Sequence, residues 1–146
     1  MATQGAIPVE FGTVFPDGAY AAGKFEMVRD FDRSQGDRVV QQLDKATGLP
    51  LWVIEVIDPQ ESARQLTVKV KVAAEYQPVL PPAVPGSPFT AVEFEGLMVT
   101  PYVDASRCKG GKDKCGARQA YSLKATGVRA PSRGIGRPAA EHKDAA

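Results

Sequence analysis

The sequence predicts an all-β protein, and three observations carry that prediction. Apolar and polar residues alternate at a period of two in several segments, which is the pattern of half-buried strands. The chain of 146 residues holds 14 glycines and 12 prolines, so turns are frequent and long helices are disfavoured. No segment carries a convincing apolar stripe at helical spacing. Apolar residues make up 43% of the chain, which is enough for the core of one domain.

The first part of the chain contains two predicted strands. Ile7–Phe15 has a proline near its start and ends at the turn signal Pro16-Asp17-Gly18. Ala19–Asp32 alternates, with apolar residues on one side of the strand and charged residues on the other, namely Phe25, Met27 and Phe31 against Lys24, Glu26 and Asp30. The run Ser34-Gln35-Gly36-Asp37 ends this strand.

The middle of the chain contains the strongest strand patterns. Val39–Leu43 and Leu51–Ile57 are joined by a predicted hairpin loop, Asp44–Gly48. Because Leu51–Ile57 is almost continuously apolar and β-branched, we expect a central strand that is covered on both faces. The clearest alternation is in Leu66–Val72, whose two faces are Leu66, Val68, Val70 and Val72 against Thr67, Lys69 and Lys71.

The last strands follow a stiff connection. Five of the twelve prolines fall within Gln77–Pro88. Thr90–Val103 is a predicted strand whose apolar phase changes at Gly96, which indicates a bulge there. Arg107–Arg118 is predicted to be a polar loop, and Ala120–Val128 is the last predicted strand.

Together these segments predict a small antiparallel barrel of five to seven strands that is similar to an OB-fold. Gly23 and Gly96 lie inside long strands and indicate strong bending, which favours a barrel over a flat sandwich. The single domain is predicted to span residues 1–131. Residues 132–146 carry no apolar period, so we expect a disordered basic tail.

Charge is divided unevenly along the chain. The net charge of +1 is the balance of −6 over residues 1–104 (8 Lys and Arg, 14 Asp and Glu) and +7 over residues 105–146 (10 against 3). A basic end on an acidic body indicates a polyanionic partner, and the alternative is a solvated basic tail without a specific partner. The N-terminal residues lack the pattern of a signal peptide, and no apolar run approaches the roughly 18 residues of a membrane span. We therefore expect a cytoplasmic protein with no membrane partner.

The sequence predicts a protein that is not an enzyme and uses no cofactor. The one histidine, His142, lies in the predicted tail, where no base is held in a fixed geometry. Nucleophile-elbow, P-loop and dinucleotide-binding motifs do not occur. Asp30 and Asp32 lie two residues apart as a paired acid and base would, but a solvated strand end is the better interpretation.

Two cysteines, Cys108 and Cys115, enclose six residues of the polar loop. A zinc site usually needs four ligands, with its cysteines two to four residues apart, and the chain has no second pair, so we expect no metal site. Two interpretations stay open, namely free thiols on a loop or a disulfide that closes the loop if the flanking strands pair. Three lysines between the cysteines make this loop basic in either case.

A nucleic-acid interface on a β-barrel needs cations for the phosphates and exposed rings on which bases stack. Lys69 and Lys71 share one strand face, and further basic residues follow in the loop and in the last strand. The candidate nucleic-acid-binding residues are Lys69, Lys71, Arg107, Lys109, Lys112, Lys114, Arg118, Lys124, Arg129, Tyr102 and Tyr121. The further candidate rings are Trp52, Phe31 and Tyr76.

Four long segments carry a resemblance to a known family. They are IPVEFGTVFPDGAYAAGKFEMVRDFDRS, DKATGLPLWVIEVID, PFTAVEFEGLMVTPYV and AYSLKATGVRAP, and with the residues between them they cover about residues 4–131. They resemble the plasmid replication, integration and excision activators of actinomycetes, the Pra-like proteins, which are encoded on integrative and conjugative elements and related plasmids. The resemblance implies a cytoplasmic role in switching on replication and excision, and it transfers no functional residues. The segment Cys108–Cys115 departs from the family pattern.

Three functions are compatible with the sequence. The first is a DNA-binding accessory protein that engages single-stranded or distorted DNA through the loop Arg107–Arg118 and the face of Lys69 and Lys71. The second is a protein-interaction module that recruits a replication initiator or the transcription machinery without binding DNA, with the acidic body rather than the basic loop as its contact surface. The third is a structural β-domain with no regulatory role. A helix-turn-helix protein that reads duplex DNA is disfavoured, because no such helical pattern occurs.

Overall fold

The computed structural model describes residues 5–60, 67–83, 85–108 and 116–132. Within these residues the chain is nearly all β, which confirms the predicted class, and its helix is a single turn. No helix in these ranges is long and apolar enough to cross a membrane. The elements in chain order are β1 (Ile7–Pro8), α1 (Phe11–Val14), β2 (Ala19–Ala21), β3 (Glu26–Met27), β4 (Leu51–Ile57), β5 (Thr67–Ala73), β6 (Thr90–Glu95), β7 (Met98–Asp104), β8 (Arg118–Ala125) and β9 (Gly127–Arg129).

The strands form one curled open sheet. Its order is β1-β7-β8-β5-β4-β2-β6-β9, and β3 also pairs with β4. Neighbouring strands are antiparallel except β5 and β8, which run parallel. The prediction of five to seven antiparallel strands is therefore wrong in two respects. One pair is parallel, and the described ranges contain nine strands, because each of three predicted strands is divided by a bend.

β6 and β7 are two halves of one bent strand, and β8 and β9 are two halves of its partner. The register runs unchanged from the pair Glu93–Arg129 to the pair Met98–Lys124, so neither side has an extra residue. The predicted bulge at Gly96 is therefore wrong. The chain bends at Gly96, whose φ of 60° is left-handed, and the bend changes the apolar phase without an insertion. Because β6 pairs with β2 while β7 pairs with β8, this strand joins distant parts of the sheet order, and the sheet curls.

The core lies on one face of the curled sheet. Ile54 on β4 pairs with Val70 on β5, and Val70 pairs in turn with Leu123 on β8. Burying one such side chain contributes roughly 1.5–3 kcal/mol. The largest fully buried side chains are Phe15, Ile54, Val56, Val70, Val72 and Val92.

Residues 7–15 do not form the single strand that the sequence predicts. Only Ile7–Pro8 pairs, and Phe11–Val14 forms one helical turn. The turn places the ring centroids of Phe11 and Phe15 5.3 Å apart, and both rings contact Phe94. A strand would hold these two rings about 13 Å apart. The contact with a common neighbour therefore favours the helical turn.

Gly23 divides the second predicted strand into β2 and β3. Five steps along this strand, from Ala21 to Glu26, lie opposite three steps along β4, from Val56 to Val53. The two extra residues are accommodated where Gly23 adopts a φ of 112°. An insertion of two residues keeps the period-two phase, and the register places Met27 opposite Trp52, on the same side as Ala21. The predicted common face is therefore wrong in its burial, which ends at Phe25. Its three apolar residues separate into a buried Phe25 and an exposed Met27 and Phe31.

Residues 28–43 form a hairpin, which we call the arm. Arg29 forms an isolated bridge with Gln41, and a turn at Gln35–Arg38 closes the hairpin. The predicted strand Val39–Leu43 is present only as isolated bridges, because the arm pairs mainly with itself rather than with the sheet. The predicted loop Asp44–Gly48 is confirmed and follows the arm directly.

β4 and β5 form the longest antiparallel ladder of the sheet, together with β7 and β8. Val70 and Val72 are fully buried and Lys69 is exposed, as the alternation predicts. Leu66, the first residue of that predicted strand, lies outside the described residues. β4 is not covered on both faces as predicted, because Glu55 is exposed opposite Lys69.

The segment between β5 and β6 contains no strand among its described residues, as its prolines predict. Two other predictions fall on parts of the chain that the structure does not describe. They are residues 133–146 of the predicted tail and residues 109–115 of the polar loop.

Candidate nucleic-acid interface

Three lysines, Lys69, Lys71 and Lys124, lie on the outward face of two parallel strands, and we call this group the lysine face. Lys69 and Lys71 alternate with buried valines on β5, so their side chains leave the core side. Lys124 on β8 is the registered neighbour of Lys71. Like charges on directly opposed residues destabilise a sheet, so this pair needs an anion nearby.

Asp44 supplies that anion. Its Oδ1 lies 2.7 Å from Lys124 Nζ, and its Oδ2 accepts a hydrogen bond of 2.8 Å from the Thr47 hydroxyl. Burial raises the pKa of the Asp44 carboxyl, but the hydrogen bonds from Lys124 and Thr47 outweigh burial and hold that pKa below its ordinary value. Asp44 is therefore ionised at neutral pH. It ties the segment that follows the arm to the lysine face.

Lys69 and Lys71 keep their charge available to a ligand. Within the ranges that the structure describes, neither ammonium has a carboxylate within 4.0 Å. Lys69 lies opposite Glu55 in the β4–β5 ladder, and both side chains are exposed. These two lysines can therefore bind a phosphate without first breaking an ion pair, whereas Lys124 cannot.

Tyr102 and Tyr121 lie on opposite sides of the β7–β8 ribbon. Tyr102 pairs with Ala120, and Tyr121 belongs to the next pair of the ladder, with Pro101. Side chains of successive pairs point to opposite faces of a sheet. Both rings are exposed. Tyr102 lies on the same side of the ribbon as Lys124, whereas Tyr121 lies on the side of the buried Leu123. The structure therefore brings Tyr102, but not Tyr121, to the side of the lysine face.

Arg107 and Arg118 flank the basic loop. Arg118 begins β8, and its Nε lies 3.4 Å from Asp104 Oδ2. Hydrogen bonds from Ser106, together with the Arg118 guanidinium, hold the pKa of the Asp104 carboxyl below its ordinary value. Arg107 is exposed in the turn after β7. The other predicted residues of this loop lie outside the described residues, namely Lys109, Lys112 and Lys114.

Cys108 is the last described residue before this gap, and it is disulfide-bonded. The interpretation of free thiols is therefore wrong for Cys108, and this end of the loop is covalently restrained. Cys115, the second cysteine of the chain, lies outside the described residues.

Arg129 lies on β9, five residues beyond Lys124 and past the bend of the ribbon. Its guanidinium lies 3.3 Å from Glu93 Oε1 and 3.9 Å from Glu95 Oε1. A hydrogen bond from the Ser132 amide, together with Arg129, holds the pKa of the Glu93 carboxyl below its ordinary value. The charge of Arg129 is compensated inside the ribbon, so the structure does not place it with the lysine face.

The other predicted rings differ widely in exposure. Trp52 is half-buried, and its indole Nε1 donates a hydrogen bond of 3.0 Å to the Ala74 carbonyl. Tyr76 is exposed in the segment after β5. Phe31, in the arm, is 79% exposed, and the guanidinium carbon of Arg29 lies 5.4 Å from its ring centroid. Phe31 is thus the most exposed ring of the described residues.

Sequence reasoning missed four polar residues beside the lysines. The spacing of Asp44 and Thr47 is typical of an Asx turn and therefore predicts a loop. It does not predict that the Asp44 carboxylate binds Lys124. Thr100 and Ser122 face each other in the β7–β8 ladder, on the same side as Lys124. Their hydroxyls add groups on the outward face that can donate hydrogen bonds to phosphate oxygens. Only the register, which no local pattern contains, brings them there.

Among the described residues, no group of three or more His, Cys, Asp or Glu side chains is arranged to hold a metal ion. Comparison of the chain with protein-family models, with curated proteins and with solved structures finds no match in any of the three.

Proposed function

We propose that this protein is a non-enzymatic accessory protein of a mobile genetic element. It binds single-stranded or distorted DNA and promotes replication, integration and excision of the element. The lysine face carries the DNA-binding part of the proposal, because Lys69 and Lys71 have no ion-pair partner among the described residues. The resemblance to the Pra-like family supports the genetic role.

The strand pairing supports an OB-like barrel as the framework. Apart from the two-residue β1 at the sheet edge, five strands remain when β2 with β3, β6 with β7 and β8 with β9 are each taken as one bent strand. The first then pairs with the second and the fourth, the third is parallel to the fifth, and the fourth pairs with the fifth. OB barrels share this scheme and bind oligonucleotides on the face of strands two and three and on the flanking loops. The corresponding parts of this chain are β4 and β5, the arm, and the loop after β7.

The lysine face lies between those two loops. Asp44, which directly follows the arm, binds Lys124 at one end of β8. Arg118 lies at the other end of β8, six residues away, which is about 20 Å along a strand. A path of this length suits a short single strand, and OB folds bind about 4–16 nucleotides.

Lysines act on the phosphates rather than on the bases. Each phosphate that a lysine neutralises releases counterions, which gives affinity without sequence information. The protein would therefore bind unpaired DNA wherever replication or excision exposes it, and another component would select the site.

A titration of the full chain with a labelled single strand, and with the duplex of the same sequence, tests the proposal at two salt concentrations. We expect the single strand to bind more tightly. The double variant Lys69→Ala/Lys71→Ala should weaken binding several-fold and flatten the slope of log affinity against log salt by up to about 1.4, at ~0.7 per contact. Lys24→Ala, an exposed lysine between β2 and β3, is the matched control and should bind as the wild type does. Absence of binding at low micromolar protein and low salt would refute the proposal.

The basic loop is tested separately. Replacing Lys109, Lys112 and Lys114 with alanine should weaken binding several-fold and flatten the salt slope by up to about two units. The melting temperature should not change. Unchanged affinity and slope in this triple variant would restrict the interface to the lysine face.

A protein-interaction module is the second candidate, and the exposed end of the β7–β8 ribbon favours it. Val103 is 71% exposed, and Pro101 and Tyr121 lie on the same side of the ribbon. Such an apolar surface suits a protein partner in the replication or transcription machinery. If Val103→Ser abolishes excision of the element in cells while DNA binding is unchanged, the second candidate is supported over the first.

A further inference from the structure

Phe31 is an exposed ring with a cation beside it. Its side chain is 79% exposed, and the Arg29 guanidinium carbon lies over the ring at 5.4 Å from the centroid. Phe31 takes no part in the hydrophobic core. Single exposed apolar side chains are common, but an exposed ring with a cation beside it has the two groups on which proteins stack unpaired bases.

The turn that carries Phe31 is held by hydrogen bonds on both sides. Asp30 Oδ1 accepts from the amides of Asp32 and Arg33, at 3.1 and 3.2 Å. The Asp30 amide donates to the Val40 carbonyl at 2.8 Å, and the Val40 amide donates to the Ser34 hydroxyl at 2.9 Å. The ring is therefore presented from an ordered frame, and a ligand that binds it has little chain to immobilise.

The arm is linked to the lysine face. Asp44 follows the last residue of the arm and binds Lys124 at 2.7 Å. Gln41, near the end of the arm, donates from its side chain to the carbonyl of Leu51 at the start of β4. A single strand that follows the lysine face past Lys124 therefore reaches the arm.

We propose that Phe31 is a stacking platform for an unpaired nucleobase at the arm end of the lysine face, and that Arg29 braces the ring from one side. The proposal rests on the DNA-binding function proposed above and extends it by naming the group that contacts a base. Stacking needs a free base face, which duplex DNA does not offer, so we expect Phe31 to favour single strands over duplex DNA. The guanidinium of Arg29 adds a cation beside the ring, where the sugar-phosphate chain would pass.

The test compares two probes that differ only in their bases. One is a fluorescein-labelled oligodeoxythymidine of about 12 nucleotides, and the other has the same backbone with abasic residues. Phe31→Ala should bind oligodeoxythymidine about 5- to 150-fold more weakly than the wild type, which is the range for one stacked base at ~1–3 kcal/mol. On the abasic probe the two proteins should bind equally. The salt slope should not change, because Phe31 contacts no phosphate.

Two control variants separate the ring from the arm that carries it. Val39→Ala removes a half-exposed apolar side chain from the same arm but no ring, and it should bind as the wild type does. Phe31→Trp keeps a platform for stacking and should also retain the affinity. Phe31 is exposed, so Phe31→Ala should melt within a degree or two of the wild type.

The outcomes distinguish this inference from the proposed function. If the wild type binds and Phe31→Ala binds oligodeoxythymidine equally well, the stacking platform is refuted while DNA binding stands. An equal loss on the abasic probe would also refute stacking, because no base is present there. If the wild type binds neither probe, the proposed function fails, and the platform fails with it.

Discussion

Replacing Lys124 with methionine tests the ion pair that joins the segment after the arm to the lysine face. In the wild type, Lys124 Nζ lies 2.7 Å from the Asp44 carboxylate, whose side chain is only 7% exposed. Methionine keeps an apolar stem but leaves this carboxylate with the hydrogen bonds from Thr47 alone. Removing one partner of a fully buried ion pair costs about 3–5 kcal/mol. Because Lys124 is partly exposed and Thr47 remains, we expect Lys124→Met to lower the free energy of unfolding by about 2 kcal/mol at pH 7.

The loss should depend on pH in a defined direction. The pKa of Asp44 in the folded protein lies below its ordinary value of 3.8, so the pair stabilises the fold above about pH 4. This contribution is lost as the pH falls through the folded-state pKa. In Lys124→Met the burial of the carboxyl remains and the ammonium is gone, so the pKa of Asp44 rises. The difference in stability between wild type and variant should therefore be largest near neutral pH and shrink below about pH 4.

Urea unfolding followed by fluorescence measures this difference, because Trp52 is the only tryptophan and lies in β4. With a dependence on urea of about 2 kcal/mol per molar, the midpoint should shift by about 1 M at pH 7. Lys71→Met is the matched control, since Lys71 lies beside Lys124 without an ion-pair partner among the described residues. Its midpoint should change little. Equal midpoints for Lys124→Met and wild type at pH 7, or an equal loss at pH 7 and pH 3, would refute the reasoning.

Three further predictions concern the fold. Val70→Asp should abolish folding, because Val70 is fully buried between β4 and β8. Lys69→Ala should change the free energy of unfolding by less than about 0.5 kcal/mol, and circular dichroism with thermal melting measures both effects. Gly96→Ala should destabilise the protein by about 1–3 kcal/mol in urea unfolding, because φ is left-handed and a Cβ would press against the Thr126 side chain. Adding Thr126→Ala should recover part of this loss, and full stability of Gly96→Ala alone would contradict the argument. Truncation after Ser132 should leave the melting temperature unchanged, and a drop of several degrees would show that the predicted disordered tail is bound to the domain.

The alternation of apolar and polar residues correctly predicted the strands that have no bend. β4 has its predicted bounds, and β5 buries the valines that its pattern assigns to the core. The pattern failed where the backbone changes direction, as at Gly23 and Gly96. It also failed at Phe11–Val14, where contacts with Phe94, far along the chain, favour a helical turn. Period-two reasoning assumes one continuous backbone conformation, and each of these positions breaks that assumption.

The sequence predicted only those parts of the candidate interface that lie on a single strand. The common face of Lys69 and Lys71 follows from their spacing on β5. The position of Lys124 beside them depends on a parallel pairing between distant segments, and Asp44 pairs with a lysine 80 residues away. Charge patterning therefore identified the cations but not which of them are neutralised.

The parallel pairing of β5 and β8 determines when the sheet can curl during folding. Its registered pair Val70–Leu123 spans 53 residues, whereas β7 and β8 are joined by a connection of 13 residues. Loop-closure entropy grows with separation, so the ladders β4–β5 and β7–β8 should form before they join each other. The lysine face contains residues from both ladders and comes into existence only at that late step. A chain still in synthesis, or one whose two ladders are held apart, would contain all three lysines but would not bring them together on one binding surface.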